Sequence, residues 1–163
     1  MKIIVTSDTH LRGKIRVLPK ELLSACEQAD LIIHGGDWSE NFVYKTLASF
    51  ADVIGVHGNV DSDEVKKQFP ERQLIEVKGF KIGVTHGHGE KKTSEKRALE
   101  VFETDDVDII IFGHSHIPMM RYVGKVLLLN PGSPTYKRKL PYFSFAMLEI
   151  KENRLYSQFV FFP

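Results

Sequence analysis

The amino-acid sequence predicts an α/β fold: two β-sheets packed face to face with helices outside, in a single domain spanning residues 1–163. Three observations lead there. Strand-length apolar runs alternate with amphipathic helical stretches as far as residue 112, and strands and turns without a helical pattern follow. The whole chain has 163 residues and is 42% hydrophobic, enough for one substantial core and short for two.

Residues 3–5, 31–33, 53–56, 82–84 and 109–112 are short runs rich in β-branched residues, as buried strands are. Between the first two, Pro19 precedes Leu22, Ala25, Cys26 and Ala29 at helical spacing. Proline suits a first helical position because no N–H is needed there. Ser39 is the expected cap of a second helix with Val43, Leu47 and Phe50 on one face, and Thr93 or Ser94 starts a third carrying Ala98, Leu99, Val101 and Phe102. Beyond residue 112, segments 121–123, 126–129, 142–150 and 155–161 form a largely antiparallel tail, divided by Gly124, the loop 130–134 and Glu152-Asn153.

Charge and composition exclude several classes. With 22 basic and 21 acidic residues the net charge is +1, which gives no global attraction for nucleic acid or an anionic membrane. The start, MKIIVTSDTH, turns polar after four apolar residues, and no run approaches the roughly 18 residues of a membrane span. No leader or anchor is expected, and the setting is taken as cytoplasmic. The one cysteine, Cys26, lies in an apolar helical stripe and is expected to be a core residue rather than a nucleophile.

Chemistry appears at the strand ends. The five runs lead in turn to Ser7-Asp8-Thr9-His10, His34-Gly35-Gly36-Asp37, His57-Gly58-Asn59-Val60-Asp61, Thr85-His86-Gly87-His88 and Gly113-His114-Ser115-His116, which together hold all seven histidines. Ligands of α/β sheets bind beyond the carboxyl ends of strands, so the five ends could share one site. Imidazoles, carboxylates and an amide without a usable thiolate suit divalent Mn, Fe, Zn, Co or Ni. One tetrahedral ion takes four ligands, whereas two ions with a bridging carboxylate use about seven, so the count favours a binuclear site.

Asp8-x-His10, Gly36-Asp37, Gly58-Asn59-x-Asp61, His86-Gly87-His88 and Gly113-His114-x-His116, in this order, resemble the motif series of the calcineurin-like metallophosphoesterases. The brevity of the chain, Thr85-His86-Gly87-His88 and Asn130-Pro131-Gly132-Ser133 are most similar to the small YfcE-type phosphodiesterase branch. The resemblance covers most of the chain. It implies a four-layer α-β-β-α sandwich and two divalent ions, manganese first, with nickel, zinc, iron, cobalt or magnesium as alternatives. It further implies that Asp8, His10, Asp37 and His116 surround one ion and that Asp37, Asn59, His86 and His114 surround the other, with Asp37 bridging. A metal-activated hydroxide would then hydrolyse a small phosphodiester or nucleotide-like substrate. Many larger members carry a histidine where this chain has Val60, and valine donates no proton to a leaving group.

His88 and Asp61 complete the expected catalytic set. His88 orients His86, meets substrate phosphate or serves the turn, and Asp61 orients a ligand or the turn from behind. His34 and His57 are expected to pack or hydrogen-bond, Trp38 to pack, and Lys137, Arg138 and Lys139 to form a solvated loop. Phe159, Phe161 and Phe162 finish a core strand or leave a patch for self-association. A non-catalytic interaction scaffold, as the retromer subunit of this fold is thought to be, is the alternative to an enzyme. A nuclease is ranked low, because nuclease members carry additional domains and this chain's net charge is only +1.

Overall fold

The computed structural model describes residues 1–11 and 17–163. In chain order the elements are β1 (Lys2–Thr6), α1 (Lys20–Cys26), β2 (Leu31–His34), α2 (Asn41–Ala48), β3 (Asp52–Gly55), α3 (Asp63–Gln68), β4 (Arg72–Val77), β5 (Phe80–Thr85), α4 (Ser94–Val101), β6 (Ile109–Ile111), β7 (Met119–Val123), β8 (Val126–Asn130), β9 (Phe143–Lys151) and β10 (Arg154–Phe162). One sheet has the order β10-β9-β1-β2-β3 and the other β4-β5-β6-β8-β7. The strands β1, β2 and β3 run parallel, as do β5, β6 and β8; the pairs β1 with β9, β9 with β10, β4 with β5 and β7 with β8 are antiparallel.

Why the central residues of β1, β2 and β6 are apolar without alternation follows from the layers. Ile3, Val5, Leu31 and Ile33 of one sheet meet Ile82, Val84, Ile109 and Ile111 of the other in the central core. The alternate residues Ile4 and Ile32 turn away onto Leu22, Cys26, Val43 and Leu47 of α1 and α2, while Ile110 and Leu128 pack on Ala98 and Phe102. Both faces of each inner strand are therefore covered, which removes the polar half of the usual strand alternation. Each fully buried Ile, Val or Leu contributes about 1.5–3 kcal/mol. The result is the expected two-sheet sandwich with helices on both outer faces.

Four details differ from expectation. Pro19 lies at the N-cap with extended ψ (141°) and the helix starts one residue later. Ser39 does not cap α2; the cap position is Glu40, and Ser39 is left-handed (φ 74°). The helix α3 and strand β4 were not expected. Ser62 caps α3 by accepting from the Val65 N–H, but six residues with only Val65 buried leave little periodicity. Edge strand β4 alternates half-buried and exposed positions and leaves Leu74 46% exposed, blurring its pattern. Thr93 does cap α4, accepting from the Lys96 N–H.

Candidate metal centre

Two of the strand-end turns are left-handed at alternate residues. Asp8 and His10 after β1 have φ 55° and 44°, His114 and His116 after β6 have φ 67° and 61°, and Asp37 after β2 has φ 57°. Non-glycine residues in this region cost on the order of 1 kcal/mol each, and such positions persist only where surrounding structure enforces them. Here the enforcement is visible. Asp8 and His10 donate their N–H groups to the carbonyls of Gly36 (2.9 Å) and Asp37 (3.1 Å), and the His114 N–H points at both oxygens of Asp8 (3.0 and 3.2 Å).

A loop that sequence reasoning valued only for its family likeness does much of this holding. Asn130 Nδ2 donates to the Gly113 carbonyl (2.8 Å) and to Ser115 Oγ (3.0 Å), and Ser133 Oγ donates to the Asp8 carbonyl (2.7 Å). Thr135 Oγ1 donates to the Thr9 carbonyl. The one available signal was an asparagine and a serine, both now buried, beside a Pro-Gly turn. Glycine is required where backbones meet these side chains: a Cβ on Gly58 would lie 2.1 Å from Asp37 Oδ1, and one on Gly113 2.0 Å from Ser7 Oγ.

The turns bring two groups of side chains together. Asp8, His10 and His116 form one and Asp37, His86 and His114 the other; within each, one ligand atom per residue lies within 4.8 Å of the rest. Asp37 Oδ2 is 3.1 Å from His86 Nε2 and 3.6 Å from His10 Nε2, which places it between the groups. Asn59 Oδ1 approaches His114 Nδ1 at 3.1 Å, and His10 Nε2 approaches His116 Nε2 at 3.1 Å.

The tautomers are set from behind. His86 Nδ1 donates to the Gly35 carbonyl (2.8 Å) and His116 Nδ1 to the Tyr136 carbonyl (2.7 Å), so Nε2 is the nitrogen of each that faces inward. His86 Nε2 is buried without a hydrogen-bond partner, since nearby Asp37 Oδ2 is not aligned to form one. A buried polar nitrogen beside two buried carboxylates is costly on its own, and a cation satisfies all of them. The residues present thus fit divalent metal ions. Burial by itself would raise Asp8, but His10, His86 and His116 outweigh it and hold the carboxyl below its ordinary range. For Asp37, likewise, burial is outweighed by His86, the Val60 N–H and His10. Burial, with a smaller push from His86, lowers His114 to about 4, so both acids are charged and this imidazole is a neutral donor at pH 7.

The remaining expected residues fall into place around these groups. Both Asp61 oxygens hold backbone: Oδ2 accepts from Gly58 N–H (2.7 Å) and Asp37 N–H (3.1 Å), and Oδ1 from Ser39 N–H (2.7 Å). His88 is half-buried, its ring 5.5 Å from His86 and 6.4 Å from His114. His34 is buried against Thr9 and Gly36, and His57 turns to the Gly58 carbonyl. Trp38 stacks on His34 and Phe69 at 3.6 and 4.5 Å and is fully buried, so it packs as expected. Cys26 is fully buried, and burial pushes its thiol up to about 12.

A calcineurin-like phosphoesterase superfamily domain matches residues 1–153. The chain belongs to that superfamily. It is 37% identical over 139 residues to a Methanocaldococcus jannaschii protein named "Probable metallophosphoesterase MJ0623", covering 85% of this chain and 70% of the relative. It is 30% identical over 173 residues to phosphodiesterase MJ0936 of the same organism, covering 94% and 97%. Among solved structures, zinc-complexed Vps29 of Entamoeba histolytica superposes with a TM-score of 0.78 at 26% identity, covering 99% of each chain. The two residue groups therefore sit in a metallophosphoesterase fold. Among the described residues no helix is long and apolar enough to cross a membrane.

Proposed function

We propose that this protein is a phosphodiesterase that uses two divalent ions to hydrolyse a small phosphodiester. The observation that carries the reading is the pairing of Asp8, His10 and His116 with Asp37, His86 and His114, linked by an Asp37 carboxylate within 3.6 Å of both sides. Asp8, His10, Asp37 and His116 would hold one ion, and Asp37, Asn59, His86 and His114 the other; the family resemblance puts manganese first, and four imidazoles among the donors also suit iron, zinc, cobalt or nickel. When bound, such a pair supplies a nucleophile at neutral pH and neutralises charge on the phosphoryl oxygens.

The chain's own residues then orient and support. The Gly35 and Tyr136 carbonyls keep Nε2 of His86 and His116 facing inward. Asp61 fixes the turns on either side of Asp37 through three backbone N–H groups, acting as a positioning residue rather than a proton carrier. Val60 contributes its backbone N–H to Asp37 Oδ1 (3.0 Å), a role any side chain permits. With no imidazole at that position, substrates whose leaving groups depart without a proton are favoured. His88, its ring 6.4 Å from that of His114, is the imidazole assigned here to contact a bound phosphoryl group.

The likeness to Vps29, whose zinc complex is of the same fold, supports a second reading as a protein scaffold. Metal binding alone does not separate the two; turnover does. Metal-stripped protein resupplied with Mn, Ni, Zn, Fe(II) or Mg should cleave bis-p-nitrophenyl phosphate faster than p-nitrophenyl phosphate, and His114→Ala should abolish it. No turnover with any metal, in protein carrying two ions, moves the assignment to the scaffold.

A further inference from the structure

Two cavities flank the turn His114-Ser115-His116. The one beside His114, about 530 Å³, is walled by Phe112 and Met119; the one beside His116, about 680 Å³, by Tyr136 and Leu140. Ser115, Ile117 and Arg138 border both. Each is of the size that holds small organic ligands.

The basic groups around them differ in how they are engaged. Arg97 donates to the carbonyls of Gly87 and Lys92, Lys92 pairs with Glu100 at 2.6 Å, and Lys137 donates to the Pro141 carbonyl (2.9 Å) above the Phe143 ring. Arg138 makes one long hydrogen bond, Nη2 to the His114 carbonyl at 3.4 Å, and among the described residues no carboxylate lies within ion-pairing distance of it. A guanidinium has five donors in a planar fork suited to phosphate oxygens, and most of those of Arg138 are uncommitted. The adjacent Tyr136 is 54% exposed, its ring edge-on to His10 and His116 at 5.7 and 5.2 Å.

We propose that Arg138 is a substrate-positioning residue and that the two cavities receive the two ester substituents of an open-chain phosphodiester, an aromatic one on the Tyr136 side. This rests on the phosphodiesterase reading. If phosphorus is bound between His114 and His116, its two substituents diverge to either side of their turn, where the cavities lie. Arg138, bordering both, meets an anionic oxygen between them. A tyrosine face stacks on a nucleobase or aryl ring without reading its edge, so selection is by size and aromaticity. A methyl ester leaves one cavity unfilled.

The test compares thymidine 5′-(p-nitrophenyl phosphate) with methyl p-nitrophenyl phosphate, which share a leaving group, on manganese-loaded wild type, Arg138→Met and Arg138→Lys. Calorimetric binding of thymidine 5′-monophosphate supplies a readout independent of turnover. Wild type should prefer the thymidine diester at least about tenfold in kcat/KM, since the second cavity is then filled. Arg138→Met should raise its KM and weaken monophosphate binding by about tenfold each, with a smaller change in kcat, and Arg138→Lys should recover part of both. Equal kcat/KM for the two diesters, or KM and binding indifferent to Arg138, overturns the inference while leaving the phosphodiesterase reading intact. Failure of wild type to cleave either diester with any metal removes both.

Discussion

His34 and His86 are both fully buried imidazoles at the carboxyl ends of inner strands of the two facing sheets, β2 and β5, yet the two turns treat them in opposite ways. In the β2 turn, His34 Nδ1 accepts from the Gly36 N–H (3.1 Å), which leaves Nε2–H to approach Thr9 Oγ1 (3.3 Å), and Trp38 covers the ring. In the β5 turn, His86 Nδ1 donates to Gly35, and Nε2 is left without a hydrogen-bond partner beside Asp37. Their proton affinities diverge accordingly. Burial pushes His34 down to about 3, whereas for His86 the Asp37 and Asp8 carboxylates outweigh burial and raise it. Burial at a strand end does not fit an imidazole to hold a metal; what becomes of the second nitrogen does.

That difference is broken or upheld by replacing each histidine with asparagine. His86→Asn should lose about one ion per chain and more than about 10²-fold in diester hydrolysis, because an inward donor is removed from a set with no spare member. His34→Asn keeps an acceptor near the Gly36 N–H and should hold its metal and retain hydrolysis within about threefold. Metal analysis by mass spectrometry and initial rates decide it, and equal losses in the two variants would erase the distinction. A smaller effect is expected one layer behind. Asp61→Asn offers one oxygen where both now accept from backbone, so metal affinity should fall about 10- to 100-fold with Asp37 itself untouched. Unchanged metal affinity there would mean that the turns hold Asp37 without help.

The same contrast explains what the sequence made legible. Strands buried on both faces leave unbroken apolar runs, so the Asp, Asn and His residues in the turns after them are conspicuous, but which of these are expected to hold metal came from the family resemblance, since His34 and His57 follow their runs as directly as His86 does. Whether a given histidine turns Nε2 inward depends on carbonyls far along the chain: Tyr136 lies 20 residues from His116 and Gly35 lies 51 residues from His86. Such partners have no local signature. Ser39 shows the same limit, since a serine before a helix signals a cap, yet Asp61, 22 residues onward, captures its N–H and the backbone turns left-handed instead. The buttress formed by Asn130 and Ser133 was hidden for this reason too. The edge strand β4 was missed for another, its outward Leu74 masking the alternation.

The smallest expected effect probes His34 through stability rather than catalysis. An unfolded histidine titrates near 6.5, and the folded one is pushed down to about 3 by burial. Between those values the unfolded chain binds a proton that the folded chain refuses, so stability falls as pH drops below 6.5 and is independent of this group above it. The slope is about 1.4 kcal/mol per pH unit, or about 2 kcal/mol by pH 5. His34→Asn removes the titrating group and should start less stable at pH 7.5 but lose about 2 kcal/mol less than wild type on going to pH 5. Urea unfolding of the metal-stripped proteins, followed by fluorescence of the buried Trp38, measures both losses, and titrations shared by the two chains cancel in the difference. Identical losses would mean that the folded protein admits a proton at His34. Its neutral, doubly bonded state would then not be enforced, and the β2 turn would differ from the β5 turn in degree rather than in kind.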